Sequence, residues 1–153
     1  MTNTETVRDI FSILHDGTII GWTGDKHLLT LQVSCQYLAE KINPAFEDFF
    51  IELVDITKLS LEPWMNPIEP EQKYFVEPEE MFQAELEILS AEVENECVKV
   101  TCNQHDTSFD YCGGTLYITC KDTKVYDQNK MELTIDKLDD ICKEYWNKFA
   151  KQS

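Results

Sequence analysis

The sequence predicts an α+β fold: six to eight mostly antiparallel strands form a sheet or sandwich, and one amphipathic C-terminal helix packs on it. Three observations predict this class. Apolar and polar residues alternate with a period of two in several runs, the connections between these runs are too short for helical crossovers, and the last part of the chain has apolar residues at helical spacing. With 153 residues and 42% hydrophobic composition, we expect a single globular domain, 1–153.

A hairpin is predicted at the start of the sheet. Residues 17–24 are β-branched and aromatic and are bounded by glycines, and a short loop connects them to residues 28–35, whose apolar side chains alternate with polar ones. A short helical turn is predicted over 36–42. Residues 49–61 then predict another strand, in which the apolar phase slips by one position, so we expect a bulge or a turn near Asp55.

The second half of the chain predicts a further hairpin and a helix. Residues 85–93 and 97–103 are extended runs separated by Glu94-Asn95-Glu96. Residues 114–121 predict another strand, followed by a turn at Asp122 and a continuation over 123–126. From about residue 135 to 151 the apolar residues follow one face of an α-helix, and Thr134 is placed to cap its N-terminus.

The six cysteines are expected to be free thiols. The opening residues contain neither a basic region nor an apolar run typical of an export signal, which favours a reducing cytoplasm. Cys35, Cys102 and Cys120 are in phase with apolar strand positions, and Cys142 lies on the apolar stripe of the predicted helix. Small buried hydrophobic side chains are therefore their expected role.

No catalytic residue, metal or cofactor is predicted. The chain contains no G-x-S-x-G, G-x-G-x-x-G, G-x-x-x-x-G-K-[ST] or H-E-x-x-H motif, so an enzyme is the less favoured class. His15 precedes Asp16-Gly17, which predicts a turn. His105 lies in Cys102-x-x-His105 with further acids and Cys112 nearby, but structural zinc sites use two closely spaced ligand pairs, so an ordinary polar loop is favoured over a zinc site.

The most distinctive segment is acidic. From Glu62 to Glu96 there are eleven glutamates and a single base, Lys73, which accounts for ten of the sixteen excess negative charges. Residues 63–81 contain four of the five prolines and predict a long Pro/Glu-rich loop, a length typical of binding loops. Its aromatic and acidic residues are consistent with a proline-stiffened loop that packs over the sheet edge with a rim of solvated glutamates, or with a surface that docks a cationic protein. The predicted partner-binding residues are Trp64, Glu69, Glu71, Tyr74, Phe75, Glu77, Glu79, Glu80, Glu85 and Glu87.

The charge also bears on the classes of partner. With thirteen bases against twenty-nine acids, the field of the protein repels polyanions, so neither nucleic acid nor an anionic membrane surface is expected as a partner. The oligomeric state is not predicted.

One segment resembles a known group of proteins. Phe11-Ser-Ile-Leu-His-Asp-Gly-Thr-Ile-Ile20, followed by an alternating strand, is similar to the L-H-D-G start of small bacterial β-rich domains, some of which are grouped with toxin-immunity proteins. This resemblance implies a small acidic cytoplasmic protein that neutralises a toxin, and it implies no catalytic residues.

The first hypothesis is thus a non-enzymatic acidic binding protein, immunity-like, that sequesters a basic protein. Two alternatives remain open. One is a nucleic-acid mimic of the phage type, whose carboxylates imitate phosphates. The other is a small-molecule enzyme or ligand carrier that uses the sheet interior, with His15 or His105 as the reactive group.

Overall fold

In the computed structural model, the described residues are 3–65, 67, 68, 71 and 73–152, and within them the chain forms seven β-strands and four helices. The elements follow one another in the order α1 (Asn3–Ile13), β1 (Thr18–Gly24), β2 (Leu28–Ser34), α2 (Gln36–Ala39), β3 (Asp48–Met65), α3 (Pro78–Met81), β4 (Leu86–Glu94), β5 (Cys97–Asn103), β6 (Tyr111–Tyr126), β7 (Glu132–Leu133) and α4 (Ile135–Gln152). The predicted α+β class and the predicted number of strands are confirmed.

The strands form one antiparallel sheet that closes on itself. Their order is β3-β2-β1-β4-β5-β6-β7, and β3 also pairs with β6, so six of the strands complete a ring. The junction between β1 and β4 is short, because it consists of Thr18 opposite Glu87 and Ile19 opposite Leu86. By contrast, β3 and β6 pair along almost their whole lengths.

β3 is long and contains an irregularity near its middle, at Asp55. Its first half pairs with β2 on the side opposite β6, whereas the first half of β6 pairs with β5. Between these halves Asp55 has a positive φ of 49°, and the register with β6 shifts between Ile56 and Lys58. The irregularity predicted near Asp55 is confirmed. Aspartate tolerates this left-handed backbone better than most residues do.

The apolar faces of the strands and helices enclose one core. Leu29, Leu31 and Val33 of β2 are completely buried, as their alternation predicts. α1 lies against β4, β5 and β6, and α4 packs on the sheet beside α1 and α2. Leu138 and Ile141 of α4 belong to the same buried cluster. The predicted C-terminal helix is therefore confirmed.

Two features of the structure differ from the sequence prediction. The helix α1 was not predicted, although it buries Val7, Ile10 and Phe11. The turn predicted at Asp122 is wrong, because β6 continues through this residue, which pairs with Val54 of β3. The long neighbouring strand β3 holds the backbone of β6 extended, and this outweighs the turn preference of a single aspartate.

The segment 63–81, predicted as a long loop, divides into three parts. Its first residues, 63–65, complete β3, and its last four residues form α3. Between them Phe75 forms an isolated antiparallel bridge with Leu61, with a backbone hydrogen bond in each direction. None of the described helices combines the length and the hydropathy needed to cross a membrane.

Candidate functional site

The predicted partner-binding residues occupy several places on the molecule. Glu77 directly precedes α3, Glu79 and Glu80 lie within it, and all three are exposed, whereas Glu85 and Glu87 lie at the start of β4. Trp64 and Tyr74 are partly exposed near the end of β3. Glu71 is exposed, and Glu69 lies outside the described residues. The surface predicted as one patch is thus divided by the fold.

Phe75 belongs to the core instead of the surface. Only 5% of it is exposed, and its ring meets that of Tyr111 edge to face at 5.6 Å between centroids. Together with the bridge to Leu61, this contact fixes the connection between β3 and α3 to the sheet. Phe75 therefore positions the acidic residues that follow it and is not itself available to a partner.

α3 presents its carboxylates because its other residues are buried. Pro78 stands at the first helical position, where its fixed φ favours helix initiation, and both Pro78 and Met81 are buried. Glu79 and Glu80 lie in the first turn, where the helix dipole favours negative charge. The ion pairs formed among the described residues include none with Glu77, Glu79 or Glu80. These charges face solvent.

A groove separates α3 from the β1–β2 hairpin; we call it the β1 groove. It has a volume of about 340 Å³ and is bounded by Trp22, Gly24 and His27 on one side and by Glu77, Pro78 and Glu79 on the other. Trp22 is half-buried, while the side chain of His27 is 90% exposed and its Nδ1 lies 3.6 Å from Asp55 Oδ1. An aromatic side chain and exposed carboxylates therefore line the same groove.

Asp25 adds a further negative charge to the β1 groove. Its Oδ1 accepts hydrogen bonds from the backbone N–H groups of His27 (2.9 Å) and Leu28 (3.2 Å). These two bonds, the one from His27 first, lower the pKa of the Asp25 carboxyl below its ordinary value. The ionised side chain thereby also fixes the turn of the hairpin. Lys26 is the one lysine on the described lining of this groove.

A second groove, of about 450 Å³, lies beside Glu85 and Glu87 and reaches His105. His105 Nε2 is 3.1 Å from Glu87 Oε1, and Asn103 also donates to that oxygen at 3.4 Å. Gln104 is buried, and its side-chain amide bonds the backbone of Asp106 and Tyr111. The loop that carries His105 is therefore held in place by its own hydrogen bonds.

The cysteine and histidine spacing around His105 does not bring ligands together. Cys102 is fully buried in the core, and burial raises the pKa of its thiol to about 12. Cys112, by contrast, is exposed, and its thiol lies 3.6 Å from the backbone oxygen of Trp64. Across the described part of the chain, no group of three or more His, Cys, Asp or Glu side chains is arranged to hold a metal ion.

His15 is part of an aromatic cluster. Its ring stacks on Trp146 at 5.6 Å between centroids, with an angle of 13° between the planes, and its Nδ1 lies 2.8 Å from the backbone oxygen of Ser12. Tyr37 donates a hydrogen bond to the backbone oxygen of His15 at 2.7 Å. These contacts join α1, α2 and α4, so they give His15 a structural role.

Residues 11–20, which resemble the start of small bacterial β-rich domains, span the end of α1, the turn after it and the start of β1. Phe11 and Leu14 are fully buried, and Asp16 has a φ of 68°. A Cβ at Gly17 would lie 2.8 Å from the backbone oxygen of Leu14, so only glycine fits there without movement. The turn predicted at Asp16-Gly17 is confirmed, and its geometry accounts for these residue types.

Tyr74 and Trp64 lie on the outer side of the pair formed by β3 and β6. The Tyr74 hydroxyl hydrogen-bonds Glu62, and this bond raises the pKa of Tyr74 above its ordinary value. The ring of Trp64 lies over Gly113 of β6.

Sequence reasoning missed the β1 groove, because the approach of α3 to Trp22 and His27 depends on how the ring of strands closes. The only sequence signal was a tryptophan within a short strand.

Comparison of the chain with family models, with curated proteins and with solved structures finds no match in any of the three.

Proposed function

We propose that this chain is a non-enzymatic acidic binding protein, immunity-like, that sequesters a basic protein partner. The observation that carries the proposal is the group of exposed carboxylates of Glu77, Glu79 and Glu80 on α3. Glu77 and Glu79 line the β1 groove, and none of the three forms an ion pair among the described residues. Lysine and arginine side chains of a partner would supply the missing counter-charges.

The net charge of −16 supports the same conclusion. A field of this sign accelerates encounters with a positively charged surface and repels nucleic acid and anionic membranes. Once the two proteins meet, a half-buried aromatic side chain such as Trp22 provides the apolar contact that slows dissociation. Sequestration of this kind inhibits the partner by covering its surface and needs no reacting group.

The proposal includes a cytoplasmic location. The six cysteines are free, and Cys35, Cys97 and Cys102 are buried in the apolar interior. Burial raises the pKa of Cys35 and Cys102 to about 12, so these thiols remain protonated and unreactive at neutral pH. Thiols in this state suit a compartment in which disulfides do not form.

Affinity capture with charge-reversed variants tests the function. The purified protein is used to capture partners from a lysate of its source at about 50 mM and about 500 mM salt, a range over which exposed charges become screened. We expect a basic protein to be retained at low salt. The variant Glu77→Lys, Glu79→Lys, Glu80→Lys should lose most of that retention, because it repels the same partner.

The matched control reverses three exposed glutamates elsewhere: Glu40→Lys, Glu132→Lys and Glu144→Lys. Both variants have the same net charge, so a loss confined to the α3 variant identifies the surface. Equal retention by the two variants, or the capture of no basic protein by the unmodified chain at low salt, would contradict the proposal.

A further inference from the structure

The edge of β1 is open beside the β1 groove. Within the described part of the chain, the pairing between β1 and β4 ends at Ile19, whereas the pairing between β1 and β2 continues to Gly24. The side of β1 that faces away from β2 therefore has no strand partner from Ile20 to Gly24 among the described residues. An unpaired strand edge offers a row of backbone N–H and C=O groups to another strand.

Side chains leave this edge accessible. Ile20 is 38% exposed, and Thr23 and Gly24 are also exposed. At Gly21 a Cβ would have only Gln32 Oε1 within 4 Å, at 3.7 Å, so little packs against the face of β1 at this position. The chain has no charged side chain between Thr18 and Gly24, although charged residues commonly protect edge strands.

The β1 groove also selects the charge of a segment that could pair with the edge. Glu77 and Glu79 form its far wall and Asp25 stands at its end, against the single lysine Lys26. A strand added to β1 would lie about 4.8 Å from it, with alternate side chains directed to the two faces of the sheet. Basic side chains on that strand could reach these carboxylates.

We propose that an extended, cationic segment of the partner adds as a strand to the open edge of β1 between Ile20 and Gly24, in the groove between β1 and α3. This inference rests on the proposed function for the identity of the partner as a basic protein, and it adds the mode of recognition. Backbone hydrogen bonds to β1 supply affinity, while Glu77 and Glu79 select lysine or arginine.

A synthetic peptide tests the edge without the natural partner. The probe alternates lysine and valine and is about six residues long, the length of an average strand. We expect it to bind and to protect alternate backbone amides between Ile20 and Gly24 from hydrogen exchange. A second peptide of the same sequence is N-methylated on alternate residues. It should bind about tenfold more weakly, because it has lost about two backbone hydrogen bonds.

Two protein variants separate charge from backbone pairing. Glu77→Gln with Glu79→Gln should weaken the unmodified peptide roughly threefold and reduce the salt dependence of its binding. The control, Glu40→Gln with Glu144→Gln, should change neither. Equal affinity for the two peptides, protection of amides elsewhere, or no binding would overturn the strand-addition proposal. Each of these results is independent of the lysate capture, so a failure here is distinct from a failure of the proposed function.

Discussion

Gly113 allows two strands and a tryptophan to meet at one point. A Cβ at this position would lie 2.4 Å from the backbone oxygen of Cys102 and 2.8 Å from the ring of Trp64. The tryptophan could rotate away, but the carbonyl belongs to the neighbouring strand β5 and cannot move without breaking the ladder. The absence of a side chain at Gly113 is therefore required by packing.

We expect Gly113→Ala to lower the free energy of unfolding by about 2 kcal/mol, because overpacking next to backbone cannot relax cheaply. Urea denaturation monitored by fluorescence measures the change. The control is Gly21→Ala, whose Cβ would meet open space; its stability should change by less than about 0.5 kcal/mol. Similar losses in the two variants would contradict the packing explanation, because the entropic effect of Gly→Ala alone is stabilising.

At the scale of residues, sequence reasoning succeeded where the backbone is regular. The period of a strand correctly placed Cys102 in the core, because its neighbours Val98 and Val100 define the buried face. Phe75 lies in an irregular connection that has no period to follow, so the sequence could not show that its ring is buried. Its isolated bridge to Leu61 depends on the path of the chain.

The C-terminal helix has a defined beginning. Thr134 Oγ1 accepts a hydrogen bond of 3.1 Å from the backbone N–H of Lys137, which otherwise lacks an intrahelical partner. Thr134→Ala should therefore lower the free energy of unfolding by about 1 kcal/mol. Thr134→Ser retains the hydroxyl and should stay close to the unmodified protein in thermal unfolding. A serine variant as unstable as the alanine variant would assign the effect to the lost methyl group.

At the scale of elements, α1 and α4 are both amphipathic helices, but only α4 was predicted from the sequence. α4 was predicted because its apolar stripe is long and its cap is clear. The signal for α1 was present in Val7, Ile10, Phe11 and Leu14, spaced by three, one and three residues, and it could have predicted this helix. The continuity of β6 through Asp122 could not be predicted, since it depends on the partner strand β3.

The candidate site was predictable only in the part that local composition determines. Composition indicated the acidic residues of α3, because a density of glutamates is visible without a fold. The open edge of β1 was not visible, because it results from the early end of its pairing with β4 at Ile19. A local pattern can predict that a strand exists but cannot show which of its edges stays unpaired.

For the molecule as a whole, burial of weakly acidic groups links stability to alkaline pH. The pKa values of Cys35 and Cys102 are raised to about 12 by burial, from ordinary values near 9. Burial also raises the pKa of Tyr37. A raised folded-state pKa contributes stability that is fully present below the unfolded pKa and is lost as the pH rises towards the folded value.

We therefore expect the free energy of unfolding to decline from about pH 9 upward, by roughly 1 kcal/mol per pH unit for each of the two thiols. Urea denaturation between pH 8 and pH 11, in steps of about one unit, measures this slope. Cys102→Ala should reduce this slope by about half, because Cys35 still contributes, although the variant is less stable throughout. Val100→Ala, at a buried neighbour in the same strand that has no titratable group, should leave the slope unchanged. A slope that both variants share with the parent would contradict the assignment.

The pairing of β3 with β6 also has a consequence for synthesis on the ribosome. β3 ends at Met65, but the strand that covers its second side runs from Tyr111 to Tyr126. At ordinary rates of translation several seconds separate their emergence. During that interval the hairpin of β1 and β2 can dock on only the first half of β3. The nascent chain therefore exposes an apolar strand edge until β6 leaves the exit tunnel, and chaperones that shield such edges should determine how much of the protein reaches its folded state.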